Sequence, residues 1–445
     1  MMSSLYTGVS SLSSNQTKID VISNNIANAS TIGYKYQTVT FQDTMYQTVN
    51  AATAPTESVG GMDPKQVGLG VTVASMTTIN TMGSLQYTGN PTDMAISGDG
   101  YFVVKNPNGE YNFTRAGNFG IDSYGNLVTA DGYQVCGWQE TEIQPDGSYV
   151  FTTSTEPEPI NIYNIGGESS STVSPSVTTK ATLAGNLNAA NEAQGVGMLD
   201  IGTGDLEADY IMPMTVYDSL GAAYQVNTEF YECYSEVNGD GDIETSYYYK
   251  TVDEDGNELS SGYLKFDSEG QLVTDDTDFP VENSVTLDPG ATTGASEFSF
   301  NMDFSGLTMY GAESNVQPTY VDGNAAGSLL NFSIDANGVV MGTYSNGEQH
   351  PLGILSLANF DNPAGLQKTG SNLYAATPNS GDFTTGNPAG TGGTGQLSVG
   401  TLEMSNVDLS REYSELIVAQ RGYQASSSII STVDELLQEL INLKR

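Results

Sequence analysis

At 445 residues, with 53 acids against 13 bases, the chain carries a formal charge of −40, a field that excludes nucleic acid and anionic lipid as partners. Fifty Gly, 26 Tyr and recurrent Asn-Gly and Asp-Gly pairs point to β-structure joined by tight turns, with length for two or three domains. Two cysteines, Cys136 and Cys233, are too few for a disulfide framework, and no run approaches the ~20 apolar residues of a membrane span, so no membrane insertion is expected.

Residues 3 to about 30 read as an amphipathic helix. Leu5, Leu12, Ile19 and Ile26 recur every seventh residue, with Val9 and Ile22 beside them. Gly8, Asn15 and Ser23 thin this stripe, so the helix is marginal alone and needs a cover. A basic region followed by a solid apolar core is missing here, so no conventional cleavable signal peptide is expected. Cytoplasmic residence and export by another route both stay open. The segment 34–67, with Pro55, Gly60, Gly61 and Pro64, reads as an extended linker or irregular structure.

From residue 68 the pattern turns to short β-branched and aromatic runs between Asn-Gly and Asp-Gly turns. Near residue 145 the composition shifts towards Ser, Thr, Glu and Asp, and near 318 the earlier hairpin style returns. These shifts predict an outer β domain over 145–317, inserted into an inner β domain made of 68–144 and 318–401. The Gly/Thr-rich stretch 381–400 is expected to be flexible. From about Ser405 a second helix is predicted to run to the end, with Asp408 three residues on closing a capping-box-like start. Leu402, Leu409, Leu416, Tyr423, Ile430 and Leu437 share one heptad position, flanked by Ala419, Val433 and Leu440.

The expected fold is therefore mainly β with α-helical termini. The terminal helices (1–33 and 402–445) pair as a coiled coil, beside an inner β domain and an outer β domain inserted in it. These helices flank an all-β body that offers no other helical partner. Pairing them buries each stripe only in part, and neighbouring copies would supply the rest, which implies a homopolymer.

Catalytic candidates are few. The single histidine, His350, precedes Pro351 in a predicted loop and reads as a surface residue; no nucleophile elbow or phosphate-binding loop occurs. No catalytic residue and no cofactor is expected. Two acidic stretches, Asn238, Asp240, Asp242 and Glu244, then Asp253, Asp255 and Asn257, imitate calcium loops. Ile243 and Glu258 stand where such a loop needs its Gly, so both read as Asx turns with at most a weak, non-specific cation site.

The run Ile19-Asp20-Val21-Ile22-Ser23-Asn24-Asn25-Ile26-Ala27-Asn28, followed by Gly33-Tyr34-Lys35, resembles the N-terminal signature of the bacterial flagellar rod and hook proteins. Ser405-Asn406-Val407-Asp408 and Gln420-Arg421-Gly422-Tyr423 resemble that family's other end, and Asp93 to Phe102 with Thr114 to Phe119 resemble its inner β domain. Rod members have shorter middles, so the large insertion, with Met214-Thr215-Val216-Tyr217, looks like the hook members. The resemblance implies a structural subunit, not an enzyme, polymerising into a flexible curved tube that transmits motor torque to the filament. It also implies export, unfolded, through the flagellar type III apparatus to an extracellular position. The implied partners are the distal rod, a cap scaffold and the hook–filament junction proteins. Ser11, Ser13 and Ser14 are more polar than is usual there, and Ala29-Ser30 replaces the more usual Val-Asn, departures that predict looser helix packing. A distal-rod-type axial subunit is the near alternative, and an exported carbohydrate-active or calcium-binding β protein the remote one.

Overall fold

Two helices from opposite ends of the chain lie against each other: α1 (Met2–Ala27) and α2 (Leu409–Leu443). Their contacts run in opposite order along the two helices. Ser11 meets Ser426, Lys18 meets Glu415 and Asn25 meets Glu412, so the pair is antiparallel. The computed structural model describes residues 2–55, 60–143, 149–165, 168–190, 208–237, 243–274, 282–290 and 294–443. The start of α2 differs from expectation. Asp408 is the N-cap, its Oδ1 accepting the Ser410 amide at 2.9 Å and the Arg411 amide at 3.3 Å, so the helix begins at Leu409 and not near Ser405. Leu402 consequently lies outside the helical heptad. It sits in the strand Thr401–Glu403, paired with Leu85–Tyr87 and buried.

After α1 the chain enters strand β1 (Gln37–Asp43), then β2 (Tyr46–Asn50), β3 (Lys65–Gly68) and β4 (Val71–Thr78). β1 pairs with β4 and β2 with β3, both antiparallel, so the extended segment doubles back as one long two-stranded ribbon. Its base rests on α1, where Ser10 Oγ accepts the Val71 amide at 3.3 Å and Ser14 Oγ donates to the Val71 carbonyl at 3.4 Å.

The chain divides into two compact units. The first holds residues 1–170, 332–342 and 350–445. Within it, Gln134–Trp138 pairs with Gln349–Leu355 on one side and with Tyr101–Lys105 on the other, followed in order by Tyr111–Thr114, Leu373–Ala375 and Gln367–Gly370. Tyr101, Val103, Phe113, Cys136, Phe360 and Tyr374 fill one core, with Phe113 edge-on to Phe360 at 4.8 Å. Cys136 is a free thiol, and burial pushes its pKa up to about 12, so it behaves as a small apolar residue.

The second unit, residues 171–331 and 343–349, contains two four-stranded sheets. One is a meander of Tyr210–Tyr217, Ala223–Val237, Ile243–Val252 and Glu258–Phe266; the other orders as Glu282–Leu287, Phe298–Tyr310, Lys180–Asn188 and Gln317–Val321. Alternate residues such as Tyr247, Tyr249, Phe300, Met302 and Phe304 are buried in its core, as the period of two requires. Asp253, Asp255 and Asn257 form a hairpin turn here, with Asp253 Oδ1 accepting the Asn257 amide at 2.7 Å. Asn238, Asp240 and Asp242, and the side chains of Cys233 and Leu440, lie outside the described residues.

Two local expectations fail for identifiable reasons. His350 belongs to the strand Gln349–Leu355, not to a loop, and its Nδ1 lies 3.0 Å from the Tyr149 hydroxyl. The stretch 381–400 is packed and not a free tether. Leu357 and Asn387 exchange backbone hydrogen bonds at 2.8 Å, and Gln396–Val399 pairs with Met94–Ser97. Its glycines serve close approach: a Cβ on Gly386 would lie 1.7 Å from Ser356 Oγ, and one on Gly395 2.3 Å from the Ser97 carbonyl oxygen.

Candidate functional site

The paired helices meet along a seam of small and polar side chains. On α2 the buried positions are Glu412, Ala419, Ser426 and Val433, each seven residues after the last; on α1 they are Gly8, Ser14, Ile22 and Asn25. A Cβ on Gly8 would stand 3.1 Å from Ile430 Cγ1, and one on Gly422 would stand 3.1 Å from Asn15 Oδ1, so the backbones approach closely at both glycines. Between them Ser11 and Ser426 share a hydroxyl–hydroxyl bond of 2.8 Å. Ser11 has its polar partner across the seam and Ser14 has one on the ribbon at Val71, which opposes the loosening expected from their polarity.

The expected heptad residues border this seam more than they fill it. Ile22 and Val433 are buried, while Leu5, Leu12, Ile19, Ile26, Leu416, Tyr423, Ile430 and Leu437 are half-buried. Leu409 is exposed, as are Tyr413, Ile417, Val418, Ile429, Leu436 and Ile441 on α2 and Tyr6 and Val9 on α1; Val418 keeps 67% of its surface and Ile441 69%. Pairing of α1 with α2 thus leaves further apolar surface uncovered on both flanks of the seam.

At the foot of the helices lies a charged junction that apolar periodicity does not signal. Glu403, 1% exposed, accepts from Lys35 Nζ at 2.6 Å, from Arg115 Nε at 2.7 Å and from the Gly83 amide at 2.8 Å. Arg115 also donates to the carbonyls of Ile96, Gly98 and Gly100, and Lys35 donates to the Thr81 carbonyl at 2.8 Å. Burial opposes ionisation of Glu403, but two cations and an amide override it and hold its carboxyl below the usual range. For Lys35 burial wins instead, and its pKa is lowered, because it shares its one carboxylate with Arg115. Removing one partner of such a buried pair costs about 3–5 kcal/mol, since the other charge is left unmatched.

Several motif residues converge on this junction or on the turns beside it. Gly33 takes φ of +68° where a Cβ would lie 2.7 Å from the Ala116 nitrogen, and its amide donates to the Glu403 carbonyl at 2.8 Å. Asn25 donates to Glu412 Oε2 at 3.0 Å and to the Gln37 carbonyl at 2.8 Å, while its Oδ1 accepts the Gln37 amide and the Tyr34 hydroxyl. Asn406 Oδ1 accepts the Tyr36 amide at 2.9 Å and its Nδ2 donates to the Ile79 and Thr81 carbonyls. Asn28 donates to the Asn24 carbonyl and closes the end of α1, and Ser405 Oγ accepts the Val407 amide at 3.4 Å. Ala27, Gln420 and Arg421 are exposed and take no part. Glu403, Arg115 and Glu412 were the residues that apolar patterning passed over. A lone acid ending a strand and one in the first turn of a helix each look like solvated surface in sequence.

Comparison with known proteins finds family matches over four segments of the chain. Residues 5–35 match the family model described as flagella basal body rod protein, and 95–176 that of the flagellar hook protein FlgE/F/G D1 domain. Residues 186–324 match the flagellar basal body protein FlaE D2 domain, and 398–443 the flagellar basal body rod FlgEFG protein C-terminal. The flagellar hook protein FlgE of Borreliella burgdorferi is 36% identical, and that of Treponema pallidum 35%, each over 100% of both chains. Against the flagellar basal-body rod protein FlgG of Bacillus subtilis identity falls to 28%, again over 100% of both chains. Most of both helices, the charged side chains of Lys35, Arg115 and Glu403 and most of the second unit thus fall in matched segments, and the chain belongs to the FlgE family of flagellar hook proteins, as a structural subunit of the hook.

Proposed function

We propose that the helix pair is the self-assembly element, and that copies pack through the apolar residues it leaves uncovered into a flexible curved tube that passes motor torque to the filament. The exposure of Leu409, Tyr413, Ile417, Val418, Ile429 and Leu436 carries this reading, because a helix that is apolar beyond its partnered seam needs further cover. Leu5, Leu12, Ile19, Ile22, Ile26, Leu416, Tyr423, Ile430, Val433, Leu437 and Leu440 would border or fill the same contacts. In this reading 1–33 and 402–445 form the axial layer, 68–144 and 318–401 the wall, and the acidic insertion 145–317 the solvent side. The distal rod, a cap scaffold and a junction protein would meet the ends of the tube, and subunits would reach this extracellular place through the flagellar type III apparatus.

The test is electron microscopy of purified chain under assembling conditions. Val418→Asp should abolish tubes while the β units keep their cooperative melting, because a charge at a dry helix contact is unmatched. Normal tubes from Val418→Asp would remove the helix pair from the assembly contact. A rod-type subunit is the weaker reading, and straight, rigid tubes from the native chain would favour it.

A further inference from the structure

Both helices leave the β body at the same charged junction. α1 ends at Ala27, and the chain reaches Lys35 eight residues later; α2 begins at Leu409, six residues after Glu403. Three remote stretches must therefore meet on one carboxylate: Gly33–Lys35, the segment from Ile96 to Arg115, and Thr401–Glu403. None can dock alone without burying an unmatched charge. Lys35 and Glu403 are both 1% exposed and Arg115 4%, so water does not compensate a missing partner. The geometry also ties the junction to the seam, since Asn25 links Gln37 to Glu412 and Asn406 ties Tyr36 to Ile79 and Thr81.

We propose that Glu403 is a positioning residue for assembly: its shared ion pair with Lys35 and Arg115 makes docking of the two chain ends all-or-none, and so sets the helix pair on the β body as one piece. Glu403 need not touch a neighbouring copy to do this. It fixes where α1 leaves and α2 starts, and so fixes which faces of the pair are presented. This inference rests on the assembly reading above, but its physical core, joint docking of the ends, can be measured apart from it.

The experiment compares the native chain with Glu403→Gln, which keeps the shape but removes the charge and turns one accepting oxygen into an NH2 facing a donor. Critical concentration for tube formation is read by sedimentation, and protection of the termini by amide hydrogen exchange. Glu403→Gln should raise the critical concentration at least tenfold and speed exchange in 2–43 and 401–443 at least tenfold, leaving 171–331 as protected as before. Adding Lys35→Met removes one of the two unmatched cations and should recover part of both effects, which a merely damaged strand would not do. Tubes at the native critical concentration, with native protection of both ends, overturn the proposal. Should Glu403→Gln fail to fold, exchange in the native chain decides: Gly33–Lys35 and Thr401–Glu403 should open in one step, and separate openings overturn it. Absence of tubes from the native chain would sink the assembly reading and leave joint or separate opening to decide this inference.

Discussion

Lys368 shows how a single half-buried cation can colour the stability of the first unit. Its ammonium donates to the Lys35 carbonyl at 2.9 Å and lies 4.7 Å above the Tyr34 ring, partners that satisfy a donor without neutralising a charge. Burial therefore dominates and lowers its pKa to about 8. The unfolded value is about 10.4, so between about pH 8 and pH 10 the unfolded chain holds more protons than the folded one. Stability contributed by this group accordingly rises as pH climbs through that window and is absent below it. Thermal melts at pH 7 and pH 9.5 should show the native chain gaining stability relative to Lys368→Met as pH rises. Identical pH dependence in the two chains would mean that Lys368 is already solvated. Glu403 has the same sign in an acid window: its lowered pKa gives stability that is present at neutral pH and lost as pH falls through the folded value.

Among the elements, the helix pair is where pattern and packing diverge most usefully. Gly8→Leu brings a helix-propensity gain of up to about 1 kcal/mol, but it drives a branched side chain into Ile430 and the Ser426 carbonyl. Overpacking of that kind costs about 1–3 kcal/mol, so the net change should destabilise the pair, seen as earlier loss of helical circular dichroism on heating. A later loss would show that the helices can separate at no cost. The period of seven was legible in Leu5, Leu12, Ile19 and Leu416 to Leu437, and so were the two helices and the β hairpins. The buried face was not legible, because apolar periodicity gives a helix its stripe but not the rotation at which a polar partner lies closest. Ser11, Ser426 and Glu412 are buried or half-buried through bonds across the seam, and such pairings are invisible until both helices are in place. Leu402 keeps the heptad beat yet lies outside the helix, because Asp408 caps the true start six residues on. Glycine in 381–400 grants close approach and not freedom, two uses that composition alone does not separate.

For the whole molecule, charge sets the condition under which copies can approach. Formal charge is −40, and no Lys or Arg occurs between Lys180 and Lys250 or between Lys265 and Lys368, so the negative field is concentrated in the second unit. Among the described residues, Lys180 and Lys265 are already engaged with Asp303 and Glu244 and do little to dilute it. Apolar contact between helices falls off within a few ångströms, whereas repulsion between acidic surfaces reaches about 30 Å at 0.01 M salt and only about 3 Å at 1 M. Association of this chain should therefore be weak at low ionic strength and strengthen steeply as salt is added, through screening and not through any change of fold. The β units should melt at nearly the same temperature across that range, since their cores are apolar. Sedimentation across a sodium chloride series from about 0.01 M to about 1 M reads the critical concentration directly. A critical concentration that stays constant or rises with salt would mean that the contacts between copies are made by opposite charges, not by apolar helix faces crossing an acidic barrier.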